Sequence, residues 1–231
     1  MRGTEEEENR ENEEEREKGA LLERSVAAAT CNSAAATCNS GGQIPPKIGK
    51  CTSLIQFKAN GNKITGPIPP EIGKLCNLSF LDLGSNSLRG HTVEDDCQNL
   101  TFLNLHSNSF TCNLPTDFNQ VVSLQYVDVS DNLIEGELNP NLGSLMSLSK
   151  HILGKNQFSG SIPSQLDSCT KLQFLDLGKN QFIGEISPSL GKILALEITL
   201  NLSWNELSGK ILDKFSGLDQ LEILNLSHNE L

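Results

Sequence analysis

The fold is decided by residues 172–195, which read LQFLDLGKNQFIGEISPSLGKILA. The apolar residues of this stretch follow neither the helical period of 3.6 residues nor the two-residue period of a strand. They fit one larger structural unit, with the pattern L-x-x-L-x-L-x-x-N-x-F-x-G-x-I-x-x-x-L-G. Internal repeats are therefore the first feature to look for in the rest of the chain.

The same pattern recurs along the chain at intervals of 22 to 25 residues. Its first leucine is found at Leu54, Leu78, Leu100, Leu124, Leu148, Leu172, Leu196 and Leu221. Its asparagine is found at Asn62, Asn86, Asn108, Asn132, Asn156, Asn180, Asn205 and Asn229. Two residue types that keep one register predict an array of stacked units, in which each unit buries its leucines only against its neighbours. Below, places in a unit are counted from its first leucine, so Leu172 has the first place and Asn180 the ninth. The unit of Leu196 has one extra residue before Asn205, and its places are counted back from Asn205 as the ninth.

Each recurring residue has a physical role in the predicted array. The leucines point inward from a short strand, and the asparagine amide satisfies backbone groups of the turn after the strand and of the next coil. Glycine recurs where a turn needs a backbone without Cβ, and Cys112 breaks that series. We expect the strands to form a parallel sheet on the concave side. The convex side has too few residues for full α-helices, so short 3₁₀ or extended segments are expected there.

This pattern resembles the plant-specific class of leucine-rich repeats, L-x-x-L-x-L-x-x-N-x-L-x-G-x-I-P-x-x-L-G. Residues 154–182 (GKNQFSGSIPSQLDSCTKLQFLDLGKNQF) and 196–231 (LEITLNLSWNELSGKILDKFSGLDQLEILNLSHNEL) are similar to the root-meristem-growth-factor receptors, a peptide-sensing branch of plant receptor-like kinases. The resemblance implies an α/β repeat fold, a right-handed solenoid of about seven full units with partial units at its ends. It also implies a partial receptor ectodomain whose partners are a secreted peptide hormone and a co-receptor kinase.

Composition predicts two regions, a tail over residues 1–41 and the repeat array over residues 42–231. Residues 1–24 hold ten Glu against five Arg or Lys, and residues 27–40 repeat AAATCNS in tandem, so no packed core is expected there. The net charge of −11 argues against nucleic acid as a partner. The family implies a plasma-membrane receptor with extracellular repeats, whereas this sequence shows no signal peptide or membrane span. The chain is therefore expected to be cytosolic or a fragment.

Neither a metal, a cofactor nor a catalytic role is expected. The seven cysteines form no C-x-x-C pair, although one or two disulfide bridges remain open. The four histidines form no H-E-x-x-H motif, and the G-rich loop, V-A-I-K, H-R-D and D-F-G motifs of a kinase are not found. Peptide recognition is the favoured function. The alternatives are a signal-less soluble scaffold or decoy, or a decayed gene product without function.

The candidate ligand-binding residues lie at the third and fifth places, which project from the concave strands. They combine aromatic rings with carboxylates and amides, a set that suits an extended peptide. These residues are Gln56, Lys58, Phe80, Asp82, Phe102, Asn104, Tyr126 and Asp128. By the resemblance, Gln56 and Lys58 match an Arg-x-Arg pair that binds the C-terminal carboxylate of the peptide. Without the bidentate guanidinium groups, carboxylate binding should be weaker by roughly 1–3 kcal/mol.

Several residues depart from the pattern. Asp95 or Asp96 falls where an apolar residue should be buried, so the loop is expected to swing outward. His151 replaces a strand leucine and is interpreted either as a pH-sensitive or ligand-contacting residue or as a tolerated lesion of the core. The last unit lacks its second half, and we expect self-association through the uncapped ends. Sequons that would be glycan sites in a secreted receptor occur at Asn77, Asn99, Asn201 and Asn225.

Overall fold

The computed structural model describes residues 42–92, 99–114, 121–211 and 213–231. Asp95, Asp96 and the tail over residues 1–41 lie outside the described residues, so the predictions made for them remain predictions.

One parallel sheet of eight short strands carries the fold. Each of its strands has three residues and comes from the third to fifth places of one unit, because those places lie between inward-facing leucines. The strands are β1 (Gln56–Lys58), β3 (Phe80–Asp82), β5 (Phe102–Asn104), β7 (Tyr126–Asp128), β9 (Lys150–Ile152), β11 (Phe174–Asp176), β13 (Thr199–Asn201) and β15 (Ile223–Asn225). Neighbouring strands pair in register, as in Phe80 with Phe102. The predicted parallel sheet is confirmed.

Seven further strands form two smaller parallel sheets, which the sequence analysis did not predict. The strands are β2 (Thr65–Gly66), β4 (Ser87–Gly90), β6 (Ser109–Phe110), β8 (Glu135–Glu137), β10 (Gln157–Gly160), β12 (Gln181–Glu185) and β14 (Glu206–Ser208). Most end on or beside the recurring glycine, whose φ is positive, for example +79° at Gly66. Cys112 takes the same backbone conformation, with φ at 69°, so the break in the glycine series leaves the turn intact.

Short 3₁₀ segments complete the units, as predicted. They cover Pro46–Lys50, Pro70–Lys74, Pro140–Ser144, Ser164–Ser168, Leu190–Lys192 and Asp213–Gly217. Proline begins three of them, because its fixed φ suits the first turn and its missing N–H needs no acceptor there. Within the described residues, no helix is long and apolar enough to cross a membrane.

The core is one continuous stack of apolar side chains between the main sheet and the 3₁₀ segments. In the inner units the leucines of the first, fourth and sixth places are almost fully buried, as at Leu172, Leu175 and Leu177, whereas Leu224 of the last unit is 42 % exposed. Cys51 at the margin of the core is disulfide-bonded, whereas Cys76, Cys112 and Cys169 are free.

The asparagines of the ninth place tie each unit to the preceding one. Asn156 donates to the carbonyls of Val129 at 2.9 Å and Leu153 at 3.1 Å, and its Oδ1 accepts from the N–H of Ile134 at 3.0 Å. The amide therefore bridges its own turn and the coil of the preceding unit. The prediction that the second contact lies in the next coil is wrong in direction, because the amide reaches back to the preceding unit.

His151 lies in β9 with its ring in the core, between Val127 and Leu175 of the neighbouring strands. The side chain has no solvent exposure, and neither ring nitrogen has a hydrogen-bond partner. Burial lowers the pKa of His151 to about 4. Its position on the core side excludes contact with a ligand on the concave face, which leaves the interpretation as a core lesion with pH-dependent energetics.

Candidate functional site

Four third- and fifth-place side chains form a continuous stack on the main sheet. The rings of Phe80 and Phe102 have centroids 4.0 Å apart and planes 4° apart. Phe102 and Tyr126 repeat the arrangement at 4.3 Å and 9°. Lys58 Nζ lies 4.6 Å from the centroid of the Phe80 ring, within the range of a cation–π contact. In-register pairing of parallel strands forces the stacking of the rings, because equivalent side chains meet at about the strand spacing of 4.8 Å. Lys58 is paired with Asp82 and reaches Phe80 diagonally.

The three rings are half-buried, whereas Lys58 and its neighbour Gln56 are exposed. The sequence analysis described the ladder as exposed; the stacking of each ring on the next covers part of its area. What faces solvent is one edge of a rigid aromatic column with a cation at one end. Such a surface can bind a ligand with little loss of side-chain entropy, since stacking already restricts the rings.

The fifth-place carboxylates and amides have a structural role that the sequence analysis missed. Each accepts a hydrogen bond from the backbone N–H two residues later, which fixes the turn at the end of the strand. Asp82 accepts from Gly84 at 3.2 Å, Asn104 from His106 at 3.1 Å, and Asp128 from Ser130 at 2.9 Å. Among the described residues, Asp82 keeps one oxygen and Asn104 its NH₂ group for a ligand, whereas both oxygens of Asp128 are engaged, Oδ1 by Ser130 and Oδ2 by Tyr126.

Tyr126 and Asp128 are coupled at the end of the stack. The Tyr126 hydroxyl donates to Asp128 Oδ2 at 3.3 Å, and Asp128 is only 9 % exposed. Burial, the negative charge of Asp128 and this hydrogen bond raise the pKa of Tyr126 to about 12. Tyr126 therefore stays neutral at physiological pH and offers a ligand its hydroxyl oxygen as an acceptor.

A chain of polar contacts runs beside the stack through a histidine, a serine and an aspartate. His106 Nδ1 lies 3.0 Å from Ser107 Oγ, which donates to Asp131 Oδ2 at 2.9 Å. A catalytic triad would need the carboxylate on the imidazole and a serine on its other nitrogen. Here the carboxylate contacts Ser107, and the Oγ of Ser85 is 3.5 Å from His106 Nε2. The arrangement does not have the geometry of a triad.

The sequons fall into two structural groups. Asn77 and Asn99 are exposed, and each side chain donates one hydrogen bond to a carbonyl of the preceding unit, at 2.9 Å and 2.7 Å. Asn201 is half-buried and binds Asp176 Oδ1 at 2.8 Å. Asn225 is half-buried, and its Oδ1 accepts from Ser227. A glycan on Asn201 would break an internal contact, whereas Asn77 and Asn99 have open surroundings.

Comparisons with known protein families and solved structures agree with the repeat fold described above. The family model for the leucine-rich repeat matches residues 99–121, 123–145, 171–193 and 198–218. The plant peptide hormone receptor RGFR1, solved with RGF2, shares 44 % identity over 81 % of this chain and 30 % of its own, with a TM-score of 0.78. PEPR1, solved with AtPEP1, shares 33 % identity over 81 % and 30 % of the two chains, with a TM-score of 0.77.

The receptor kinase HAESA from Arabidopsis, solved with the peptide hormone IDA and the co-receptor SERK1, gives 34 % identity over 81 % and 32 % of the two chains, with a TM-score of 0.77. No curated protein sequence matches the chain. The chain spans less than a third of the length of these receptors.

The repeated units and the parallel sheet define a leucine-rich-repeat protein. The chain belongs to that family, and it is homologous to the ectodomains of plant peptide-hormone receptors. The fold and the family resemblance predicted from the sequence are both confirmed.

Proposed function

We propose that residues 42–231 form a peptide-recognition module, a partial ectodomain of a receptor that senses a secreted peptide hormone. The observation that supports it best is the stack of Lys58, Phe80, Phe102 and Tyr126 on the main sheet. In this proposal residues 1–41 are a tail outside the recognition unit.

The aromatic stack and the fifth-place residues would contact different groups of the peptide. An extended peptide that crosses the strands meets a new unit every 4.8 Å or so, while its own residues advance by about 3.3 Å. Apolar side chains of the peptide pack on the edges of the rings, and one of its N–H groups donates to Asp82. Asn104 in the next strand offers its NH₂ group to a carbonyl of the peptide.

The end of the peptide is expected at Gln56 and Lys58. Both are exposed and neighbours in β1, so they can approach one carboxylate together. Lys58 supplies a charge that is already partly engaged with the Phe80 ring, and Gln56 supplies only a neutral donor. Binding of a free C-terminus is therefore weak in this proposal. A co-receptor kinase would join the complex, by analogy with HAESA and SERK1.

This proposal also implies a cellular location for the chain. The repeats would be extracellular at the plasma membrane, like the receptor ectodomains to which the chain is homologous. In that setting Asn77 and Asn99 are the sequons most open to glycosylation, because their side chains are exposed.

The test is calorimetry with the synthetic RGF2 peptide, carrying either a free or an amidated C-terminus. The natural chain should bind the free peptide with micromolar or weaker affinity. The double substitution Gln56→Arg with Lys58→Arg should strengthen binding by roughly 5- to 150-fold, since bidentate pairing adds about 1–3 kcal/mol. Amidation of the peptide should abolish that gain.

The control is Lys171→Arg, an exposed lysine outside the concave strands. It should leave the affinity unchanged. The proposal is wrong if no binding occurs up to about 10 mM, or if the double substitution and Lys171→Arg behave alike.

A further inference from the structure

Two neighbouring units share the sequence LGKN, in residues 153–156 and 177–180. Their seventh place is glycine, whereas the units on either side have Ser130 and Ser203 there. The absence of a side chain in two adjacent units opens a notch of about 280 Å³ beyond the C-terminal ends of β9 and β11. Gly154 and Gly178 line its floor.

These two positions need glycine because a side chain would collide with its neighbours, and not because of the backbone conformation. Neither has a positive φ, so alanine would cause no backbone strain. A Cβ on Gly178 would lie 2.6 Å from Asn201 Nδ2, and one on Gly154 would lie 3.0 Å from Asp176 Oδ2. The glycines therefore leave room for two polar side chains that line the notch.

Asp176 and Asn201 form one wall of the notch, and their side chains are already hydrogen-bonded to each other. Asp176 Oδ1 accepts from the N–H of Gly178 and from Asn201 Nδ2, both at 2.8 Å. Burial raises the pKa of Asp176, and its hydrogen bonds to Gly178 and Asn201 act in the opposite direction. Asp176 Oδ2 has no hydrogen-bond donor among the described residues and is available to a hydroxyl group.

The floor offers an uncapped backbone donor. From Gly84 to Ser227, the seventh-place N–H is capped by a fifth-place carboxylate or amide in every unit except one. The exception is Gly154, because the fifth place of its unit is Ile152. In the described part of the chain, the Gly154 N–H has no acceptor.

The outer wall carries two cations. Lys155 and Lys179 occupy the eighth place, where the backbone is left-handed with φ at 55° in both. Both side chains are exposed, and the structure records no carboxylate within 4.0 Å of either in the described ranges. Their six N–H donors are therefore free for a ligand.

An aromatic face adjoins the notch in the next unit. Trp204, also at the eighth place, is 52 % exposed and stacks on His228 with ring centroids 3.7 Å apart. His228 belongs to the following unit, so it covers the indole face turned away from the notch. The backbone places Trp204 in the unit next to Lys179: the N–H of Lys179 donates to the carbonyl of Ser203 at 2.7 Å, and the N–H of Asn180 donates to that of Trp204 at 3.1 Å.

We propose that this notch binds an acidic oligosaccharide, a chain of uronic acid units. Its carboxylates would pair with Lys155 and Lys179, and its hydroxyls would donate to Asp176 and accept from the Gly154 N–H. The apolar C–H face of a sugar ring packs on Trp204. Asp131 and Asp176 would repel a ligand that carries only negative charge, and they favour one that also carries hydroxyl donors. The notch lies farther along the same sheet than Tyr126, and this proposal does not rest on peptide recognition.

The experiment uses the fluorescence of Trp204, which is the only tryptophan of the chain. Titration with tetragalacturonate should give a saturable change. Lys155→Gln with Lys179→Gln should weaken binding by about 10-fold or more, because two charge-assisted contacts are lost. Lys171→Gln with Lys210→Gln is the matched control, since both lysines are exposed and distant from the notch lining. The control should bind like the natural chain.

Gly178→Ser would displace Asn201 and Gly154→Ser would press on Asp176, so each should reduce affinity by about 10-fold. Thermal unfolding of each variant verifies that it is folded. Tetraglutamate serves as the acidic peptide probe and should bind far more weakly. The proposal fails if tetraglutamate binds equally well, if tetragalacturonate causes no change up to about 10 mM, or if the notch variants match the control.

Discussion

Lys58 Nζ lies 4.6 Å from the centroid of the Phe80 ring, so a cation closes one end of a stack of three aromatic rings. Four consecutive parallel strands contribute one side chain each: register stacks the three rings, and Lys58, which pairs with Asp82, reaches Phe80 diagonally. Stacking contributes both stability and rigidity, which makes the column a preorganised surface.

Phe102→Ala removes the central ring and should destabilise the fold more than Phe174→Ala. Phe102 stacks on two rings, whereas Phe174 occupies the same place in a unit whose neighbours are Lys150 and Thr199. With about 0.5–1.5 kcal/mol for each aromatic pair, the free energy of unfolding should differ by roughly 1–3 kcal/mol. Urea unfolding measures both variants; equal losses would contradict a stabilising stack.

His151→Leu should stabilise the fold. The buried ring has two unpartnered nitrogens, and leucine is the residue of the equivalent place in β11. Removing an unsatisfied polar group is expected to raise the free energy of unfolding by about 1–3 kcal/mol. The reciprocal change, Leu175→His, should lower it by at least as much. A neutral or destabilising His151→Leu variant in thermal or urea unfolding would argue against an orphaned imidazole.

The stability of the natural chain should depend on pH through His151. Its pKa is about 4 in the folded chain and about 6.5 when unfolded, so the unfolded chain binds more protons between these values. The contribution to stability is complete above pH 6.5 and is lost as pH falls towards 4, by up to about 1.4 kcal/mol per pH unit.

Urea unfolding at a series of pH values tests this dependence, with His151→Leu as the reference. Asp176, whose pKa is raised, contributes a dependence of opposite sign in both proteins. The difference between the two proteins therefore isolates His151. A difference that does not change between pH 7 and pH 4.5 would show that His151 is not a buried neutral group.

Asn156→Ala should cost far more stability than Asn62→Ala. Asn156 is buried and hydrogen-bonds to backbone groups of two units, whereas within the described residues Asn62 bonds only to the carbonyls of Ala59 and Asn60 in its own turn. At about 1–3 kcal/mol for each buried group left unpaired, Asn156→Ala should cost roughly 3 kcal/mol or more and Asn62→Ala about 1 kcal/mol. Similar costs in urea unfolding would show that bonding between units is not what the asparagine provides.

The main sheet and the third- and fifth-place residues on its concave face could be predicted from the sequence. The leucines must be buried, and their regular spacing therefore determines which residues between them face outward. The smaller sheets could not be predicted, since strands such as Thr65–Gly66 are too short to show a period.

The turn contacts of Asp82 and Asp128 were missed because a carboxylate on an exposed strand is compatible with both ligand binding and local capping. The left-handed eighth place carries residues as different as Lys155 and Trp204, so no residue type reveals it. The doubled LGKN was visible in the sequence, but only the structure shows that adjacent glycines open a notch.

The central claim is that a peptide binds along the aromatic column, and the only tyrosine of the chain, Tyr126, lies at the end of that column. With ¹³C-labelled tyrosine, the ring resonances of Tyr126 should shift and saturate as RGF2 peptide is added, while the fluorescence of Trp204 stays constant. Phe102→Ala should reduce the affinity measured from the same resonances. Tyr126 resonances that remain unchanged while calorimetry detects binding of the peptide would contradict the account.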